Sequence, residues 1–326
     1  MKAIVCTKYG PPDVLQLKDV PKPAPKDNEV LIRVHASTAT TAGLTGRTGK
    51  PYFARVFSGF SKPKKDILGI EISGEIVEVG ATVTRFKIGD PIFGLTGATN
   101  PGAYAEFKTI PADGPIELKP DTMSFEDAVA VVEGGLTALN FLKHKANLQS
   151  GQRILINGAS GAVGTSSIQI AKIFGAEVTG VCSAANFDLV QSLGADHVID
   201  YTQEDFTKNG QTYDVIFDTV GKRSFSECKG SLKPNGFYLD PAGVATLIPM
   251  LWTSMFGRKR AILAATYLRS DSENRQDLLA LKALAEEEKI WPVIDRRYEL
   301  EQTAEAHRYV ETGRKKGNVV ISVAAV

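Results

Sequence analysis

The chain lacks an excess of charge of either sign: 38 lysines and arginines stand against 37 aspartates and glutamates in 326 residues, for a formal charge of +1. That balance gives no reason to expect a nucleic acid or an anionic membrane as partner. Short basic runs at 62–65, 258–260 and 314–316 read as solvated surface, because no surplus of positive charge surrounds them. Cysteine is scarce as well. Cys6, Cys182 and Cys228 are odd in number and far apart, which excludes a disulfide framework and a tetrahedral cysteine zinc site. Each reads as a small apolar residue of a reducing compartment. The four histidines, His35, His144, His197 and His307, show no metal-ligand spacing. No uninterrupted apolar run reaches bilayer length, and the apolar start of the chain is too short for a secretory signal. A cytoplasmic protein without a membrane partner is expected. No Gly-x-Ser-x-Gly occurs, so serine hydrolysis has no support. Residues 43–50 mimic a phosphate-binding P-loop, but the first glycine comes one residue too early and Pro51 replaces the magnesium-binding hydroxyl.

What is present is ordinary globular composition, 43% hydrophobic, in a length that suggests two domains. Up to about Pro120 short apolar runs punctuated by Gly, Pro and Asp, such as 29–34, 70–79 and 91–93, read as strands. The proline-containing 111–120 marks a boundary, and 123–144 then shows helical periodicity interrupted by Gly134-Gly135. From Gly151 strands and helices alternate. Strands are expected at 153–157, 177–182, 197–200, 213–217, 236–239 and 261–268, with helices at 165–174, 187–193 and 275–289. Apolar strands separated by helices imply a parallel sheet covered on both faces. Beyond Trp291-Pro292 the pattern is strand, helix, strand, and sequence alone leaves open whether these extend the second domain or return to the first. The apolar stretch 244–256 reads first as core or dimer contact, second as a substrate-pocket wall.

The strongest chemical signal is Asn157-Gly158-Ala159-Ser160-Gly161-Ala162-Val163-Gly164, set between an apolar strand and a helix. In that context Gly161 lets the backbone approach a pyrophosphate, Gly164 permits close helix–strand packing, and the amides at the helix start hold the phosphates. Ala159 stands where the fingerprint's first glycine belongs. The end of the second strand selects the dinucleotide. An NAD site places Asp or Glu there for the ribose 2′-hydroxyl, whereas this chain has Ser183 and Asn186 and no carboxylate before Asp188. Hydroxyl and amide donors suit a 2′-phosphate, and Tyr201 is placed to lie against it or the adenine. NADPH is the expected cofactor.

Together these features resemble the medium-chain dehydrogenase/reductase superfamily, specifically its zinc-free quinone oxidoreductase branch. The resemblance is carried by Lys8-Tyr9-Gly10-Pro11-Pro12-Asp13-Val14-Leu15, by Gly69-Ile70-Glu71-Ile72-Ser73-Gly74-Glu75, by Lys87-Ile88-Gly89-Asp90, and by the glycine-rich turn. Ser192-Leu193-Gly194-Ala195-Asp196 also belongs to it. The resemblance implies an α/β protein, a Rossmann doubly wound parallel sheet plus a GroES-like β-rich catalytic domain. The expected division is 1–122, rejoined by 291–326, and 123–290, with the active site in the cleft between domains. Zinc-dependent members carry Gly-His-Glu where this chain has Gly69-Ile70-Glu71, and a cysteine near Thr40, so no catalytic zinc is expected. By the same resemblance Ser160, Gly161, Ala162, Val163 and Gly164 contact the pyrophosphate. Ser183, Asn186 and Tyr201 line the 2′-phosphate side. Thr137, Val220 and the loop Pro241-Ala242-Gly243 lie at the nicotinamide end.

The expected reaction is hydride transfer from NADPH to a quinone or an α,β-unsaturated carbonyl, acceptors that delocalise the incoming electrons onto an oxygen. Thr40, Tyr52, a backbone amide or the cofactor ribose would hydrogen-bond that oxygen. The aromatic cluster Tyr52, Phe53, Phe57 and Phe60 reads equally as an apolar acceptor pocket or as satellite packing. Rival readings are an enoyl-thioester reductase, a metal-free alcohol or aldehyde oxidoreductase, and a catalytically silent NADPH-binding protein. A homodimer is expected through pairing of an edge strand at 261–268.

Overall fold

The computed structural model describes all residues except 53, 54, 56–58, 98, 99, 242, 267, 268 and 324–326, and the side chains of Val244 and Phe256. Two compact units are present, Met1–Val132 with Tyr267–Val326, and Glu133–Thr266.

The first unit is built on a seven-stranded sheet whose longest member is Glu29–Thr38. Along that strand Val30, Ile32 and Val34 recur with the strand's period of two and bury against Ile72, Ile76, Ile92 and Ile110. Glu71–Val79 lies antiparallel on one side of it, and the C-terminal Asn318–Ser322 pairs with its far end, Val320 opposite Thr38. Ile294–Glu299 adds outside that, parallel. The last strands of the chain therefore complete the first sheet, a question the sequence pattern left open.

One helix was not legible in the strand-like reading of 1–120. Thr41–Thr48 is helical: the Thr40 side chain caps it by accepting from the Gly43 amide at 3.1 Å, and Gly49, at φ +60°, closes it. The P-loop mimic is thus a helix and its C-terminal cap. From this helix Arg47 points into the core, fully buried. Its Nε donates to His307 Nδ1 at 3.3 Å, and its remaining nitrogens donate to the Gly10 carbonyl and the Glu311 carboxylate. The Tyr104 hydroxyl donates to the Thr38 carbonyl at 2.9 Å, so His307 Nε2, 3.2 Å from that hydroxyl, carries the ring proton and donates it. This network ties the N-terminal loop, the 41–48 helix and a strand end to the C-terminal helix Thr303–Glu311.

Burial and the adjacent Arg47 charge push the His307 imidazole down to about 3 from its usual 6.5. Between those values the unfolded chain takes up a proton that the folded chain refuses, so stability is full above about pH 6.5 and falls as the pH drops towards 3. The expected loss is about 1.4 kcal/mol per pH unit across that window. Urea unfolding at stepped pH should show a shallower acid limb in His307→Gln than in the parent protein; equal slopes would remove His307 from the account.

The second unit is a six-stranded, wholly parallel sheet. In order across the sheet its strands are His197–Asp200, Glu177–Cys182, Arg153–Asn157, Tyr213–Asp218, Leu232–Asp240 and Arg260–Leu263. In chain order this is 3-2-1-4-5-6, and the order reverses between the strands ending at Asn157 and Asp218. Such a reversal opens a crevice at the carboxyl ends of the strands, where ligands bind in doubly wound sheets. Gly134-Gly135 interrupts the helical pattern for a packing reason. A Cβ on Gly134 would stand 2.3 Å from Ser166 Oγ and 2.5 Å from the Ala162 carbonyl, so only glycine allows this close approach of helices. The last strand is shorter than the expected 261–268, ending at Leu263; residues 267 and 268 lie outside the described set.

Candidate functional site

At the reversal point the first strand delivers the glycine-rich turn into helix Ala162–Ile173, which begins three residues earlier than the periodicity indicated. Gly161 is its N-cap, with no side chain bonded to the first-turn amides. Those amides and the positive end of the helix dipole form an anion cradle. The three glycines divide the work unequally. Gly158 sits at φ +83°, and a Cβ there would meet Thr219 Oγ1 and Val220 Cγ1 at 2.7 Å. The tight-turn role therefore belongs to Gly158, one residue before Ala159, the position expected from the fingerprint. Gly164 is pinned by packing: its Cβ would lie 2.2 Å from the Gly158 carbonyl. Gly161 alone is unconstrained by the protein, with only the Gly158 carbonyl at 3.5 Å from a Cβ. The fold itself does not need glycine at that position.

The second strand ends beside this cradle. Asn186 Nδ2 donates to Ser160 Oγ at 3.1 Å and to Ser183 Oγ at 3.3 Å, which brings together three residues named from sequence. The other end of the same amide, Oδ1, is buried without a partner. A buried polar atom left open in this way marks a position for a ligand or water. A carboxylate also stands nearby, supplied by the third strand: Asp200 pairs in register with Cys182. Its Oδ1 accepts from the Thr202 amide at 2.9 Å and the Thr202 hydroxyl at 2.8 Å, and these bonds hold it below the usual carboxylate range. Inspection along the second strand alone misses this acid. Tyr201 beside it is exposed.

Two buried carboxylates hold the loops on the other side of the reversal. Asp218 accepts from Asn157 Nδ2 at 2.9 Å, from the Arg223 amide at 2.9 Å, and from the Val220 and Gly221 amides at 3.3 and 3.2 Å. Burial pushes this carboxyl up, against the pull of those donors. It fixes the loop that presents Val220, half exposed, and ties it to the residue that opens the glycine turn. Asp240 does the same for the next loop, accepting from the Gly243 amide at 2.7 Å and the Thr246 hydroxyl at 2.6 Å. Pro241 and Gly243 lie in that loop; Ala242 is outside the described residues. Thr137 is buried in helix Val132–Ala138. Neither aspartate was singled out from sequence. The available signal was an apolar strand ending in an acid, Phe217-Asp218 in one case and Leu239-Asp240 in the other.

In the first unit Thr40 is buried and engaged as a helix cap, which uses a lone pair and leaves its own proton to donate. Tyr52 and Phe60 are exposed, with the Arg55 guanidinium 4.9 Å from the Tyr52 ring centre; Phe53 and Phe57 lie outside the described residues. Glu71 is buried and accepts from the Thr38 hydroxyl at 2.8 Å. Thr40 and Ile70 offer no zinc-binding donor set, and among the described residues no group of three His, Cys, Asp or Glu could hold a metal. No helix among the described residues is long and apolar enough to cross a membrane.

Comparison with known proteins bears on this arrangement directly. A profile described as an alcohol dehydrogenase GroES-like domain matches residues 26–121, and one described as a zinc-binding dehydrogenase matches 193–321. The chain is 32% identical to 2-methylene-furan-3-one reductase of Solanum lycopersicum, over 98% of this chain and 79% of that protein. It is 30% identical to the mitochondrial NAD(P)H oxidoreductase RTN4IP1 of Danio rerio, over 99% of this chain and 91% of that one. The quinone oxidoreductase of Coxiella burnetii superposes with a TM-score of 0.89 at 31% identity, covering 99% of both chains. With the GroES-like and Rossmann units in place, the chain belongs to the medium-chain dehydrogenase/reductase superfamily, in its quinone oxidoreductase branch, and is an oxidoreductase enzyme.

Proposed function

We propose that the protein is an NADPH-dependent, zinc-independent reductase of quinones or α,β-unsaturated carbonyls. The observation that carries this reading is the uncapped helix start at Gly161, open to a ligand, joined by hydrogen bonds to the Ser160–Asn186–Ser183 cluster. Amides of Ala162, Val163 and Gly164 hold the diphosphate, with Ser160 and Gly161 lining its approach, since the Gly161 amide donates to the Gly158 carbonyl at 3.0 Å; Ser183, Asn186 and Tyr201 line the 2′-phosphate side. Thr137, Val220, Pro241, Ala242 and Gly243 serve the nicotinamide end. When bound, the dinucleotide supplies the hydride. The protein's part is orientation and a hydrogen bond to the acceptor oxygen, given by the Thr40 hydroxyl or by Tyr52. Relatives named for quinones, for a methylene-furanone and for NAD(P)H support the acceptor class and the cofactor. Zinc independence rests on Thr40 and Ile70, neither of which is a ligand in a redox-inert tetrahedral site. The reading includes a cytoplasmic homodimer.

The test is turnover of NADPH and NADH with a panel of small quinones and enones. NADPH oxidation is expected, with NADH at least tenfold poorer in kcat/KM. Asn186→Ala, which removes the amide that positions the Ser160 and Ser183 hydroxyls, is expected to weaken NADPH binding about tenfold, with little effect on NADH. NADH used equally well would overturn the cofactor assignment. Tight NADPH binding without turnover on any acceptor would leave a silent binding protein instead.

A further inference from the structure

Between Glu29 and Asp66 the chain carries no aspartate or glutamate, against seven lysines and arginines. Two of the seven, Arg33 and Arg47, are spent on Glu75 and Glu311. Lys50, Arg55, Lys62 and Lys65 meet no carboxylate among the described residues. The near-zero charge of the whole chain conceals this local excess. Its field reaches Lys108, whose ammonium is pushed down to about 8 by burial and by the nearby Lys65.

These cations stand among aromatic rings, all within the first unit. The Arg55 guanidinium lies against both the Tyr9 and the Tyr52 rings, 4.6 and 4.9 Å from their centres. Its Nε donates to the Gly49 carbonyl at 3.0 Å and its Nη1 to the Phe60 carbonyl at 3.4 Å. One guanidinium thus gathers both ends of the loop, so the exposed Lys50 and Lys62, next along the chain at either end, flank it. The Tyr9 hydroxyl adds a third tie, donating to the Gly59 carbonyl at 2.6 Å. Tyr52 and Phe60 are 68% and 77% exposed. Open rings interleaved with unpaired cations suit a ligand that brings a base to stack and phosphates to pair, which is a nucleotide. A simple carboxylate would leave the rings unused.

Position says what the nucleotide is attached to. Helix Thr41–Thr48 joins Thr40 to this loop, a span of about 12 Å at 1.5 Å per residue. An acceptor whose oxygen meets Thr40 reaches the loop only through an extended arm. We propose that the acceptor is an α,β-unsaturated thioester carried on a nucleotide-phosphate arm, as in a coenzyme A thioester. Lys50, Arg55 and Lys62 pair with its phosphates, and Tyr52 and Phe60 offer their rings to its base. The inference rests on the NADPH-dependent reductase function proposed for the same site; it gives the acceptor oxygen to Thr40 and Tyr52 to the arm. Hydride from NADPH forms the new C–H bond at the β-carbon, and the displaced double-bond pair is held on the thioester oxygen. A proton from water at the α-carbon then leaves the saturated thioester and NADP+.

Turnover of crotonyl-coenzyme A is compared with that of crotonyl-N-acetylcysteamine, which shares the reacting end but lacks the nucleotide, at saturating NADPH. The coenzyme A ester is expected to have a kcat/KM about tenfold higher, expressed in KM and shrinking as salt is raised. Lys50→Glu with Lys62→Glu should abolish that advantage and leave the N-acetylcysteamine ester and the KM for NADPH unchanged. Calorimetry with coenzyme A on the NADP+-saturated protein reads the arm's site without turnover, and binding should weaken about tenfold in the double variant. Equal kcat/KM for the two esters, an advantage kept by the double variant, or no binding of coenzyme A would overturn the proposal. So would a short single-stranded oligonucleotide that binds more tightly than coenzyme A and is released by the same two substitutions. Coenzyme A bound through these lysines in a protein that reduces no acceptor would instead overturn the reductase function, with the site for the arm left standing.

Discussion

Replacing Gly161 with valine is expected to remove nucleotide binding while leaving the protein folded. The backbone at Gly161 has φ −82° and ψ 176°, which any residue adopts, and a Cβ there touches the protein only at 3.5 Å. The stability cost is that of a poorer helix cap, about 1 kcal/mol. The binding cost is much larger. A side chain at this point fills the space through which a diphosphate reaches the first-turn amides. Losing two charge-assisted hydrogen bonds, at about 1.5–3 kcal/mol each, weakens binding at least about a hundredfold. Gly164→Ala provides the contrast. Its Cβ would sit 2.2 Å from the Gly158 carbonyl, so the helix must shift from the strand, at about 2–3 kcal/mol. Calorimetric titration with NADPH beside thermal unfolding separates the two. If Gly161→Val bound NADPH as tightly as the parent, the cradle would not be the diphosphate site.

Much of this site was readable from the chain because its elements are local. Strand, glycines and helix follow one another within 153–173, and Ser160, Ser183 and Asn186 could be named because each lies at a strand end. What escaped depends on lateral register between strands. Asp200 stands beside Cys182, and Asp218 beside Asn157, only because parallel pairing aligns them. The shift from Ala159 to Gly158 has the same origin: the need for glycine comes from Thr219, 61 residues away in sequence, and its neighbour Val220. Helix Thr41–Thr48 was hidden for another reason. Its glycines and threonines have weak helical propensity, and what stabilises it is its cap and the buried Arg47. The 244–256 stretch was apolar enough to be read as core, and composition carries no information on which side of a helix faces the sheet.

Arg47→Met is expected to be the most damaging single change in the first unit, at about 3–5 kcal/mol. The guanidinium is fully buried and serves three acceptors: His307, the Gly10 carbonyl and Glu311. Methionine fills much of the volume but donates nothing. Glu311 is partly exposed and recovers water, whereas His307 Nδ1 is left buried without a donor. The surface pair Arg308–Asp13 on the same C-terminal helix supplies the control. Both of its side chains are roughly half exposed or more, so Arg308→Ala should cost no more than about 1 kcal/mol. Acid titration then identifies the cause. Arg47 is one of the two influences that hold the His307 imidazole down, and removing it moves the folded imidazole back towards its ordinary value. The variant therefore loses less stability than the parent as the pH falls below about 6.5, and the gap between the two proteins narrows. Urea unfolding at pH 7.5 and pH 5 measures both quantities. A gap that stayed constant with pH would assign the loss to packing alone, and a gap under 1 kcal/mol at pH 7.5 would show that the network does not hold the C-terminal helix in place.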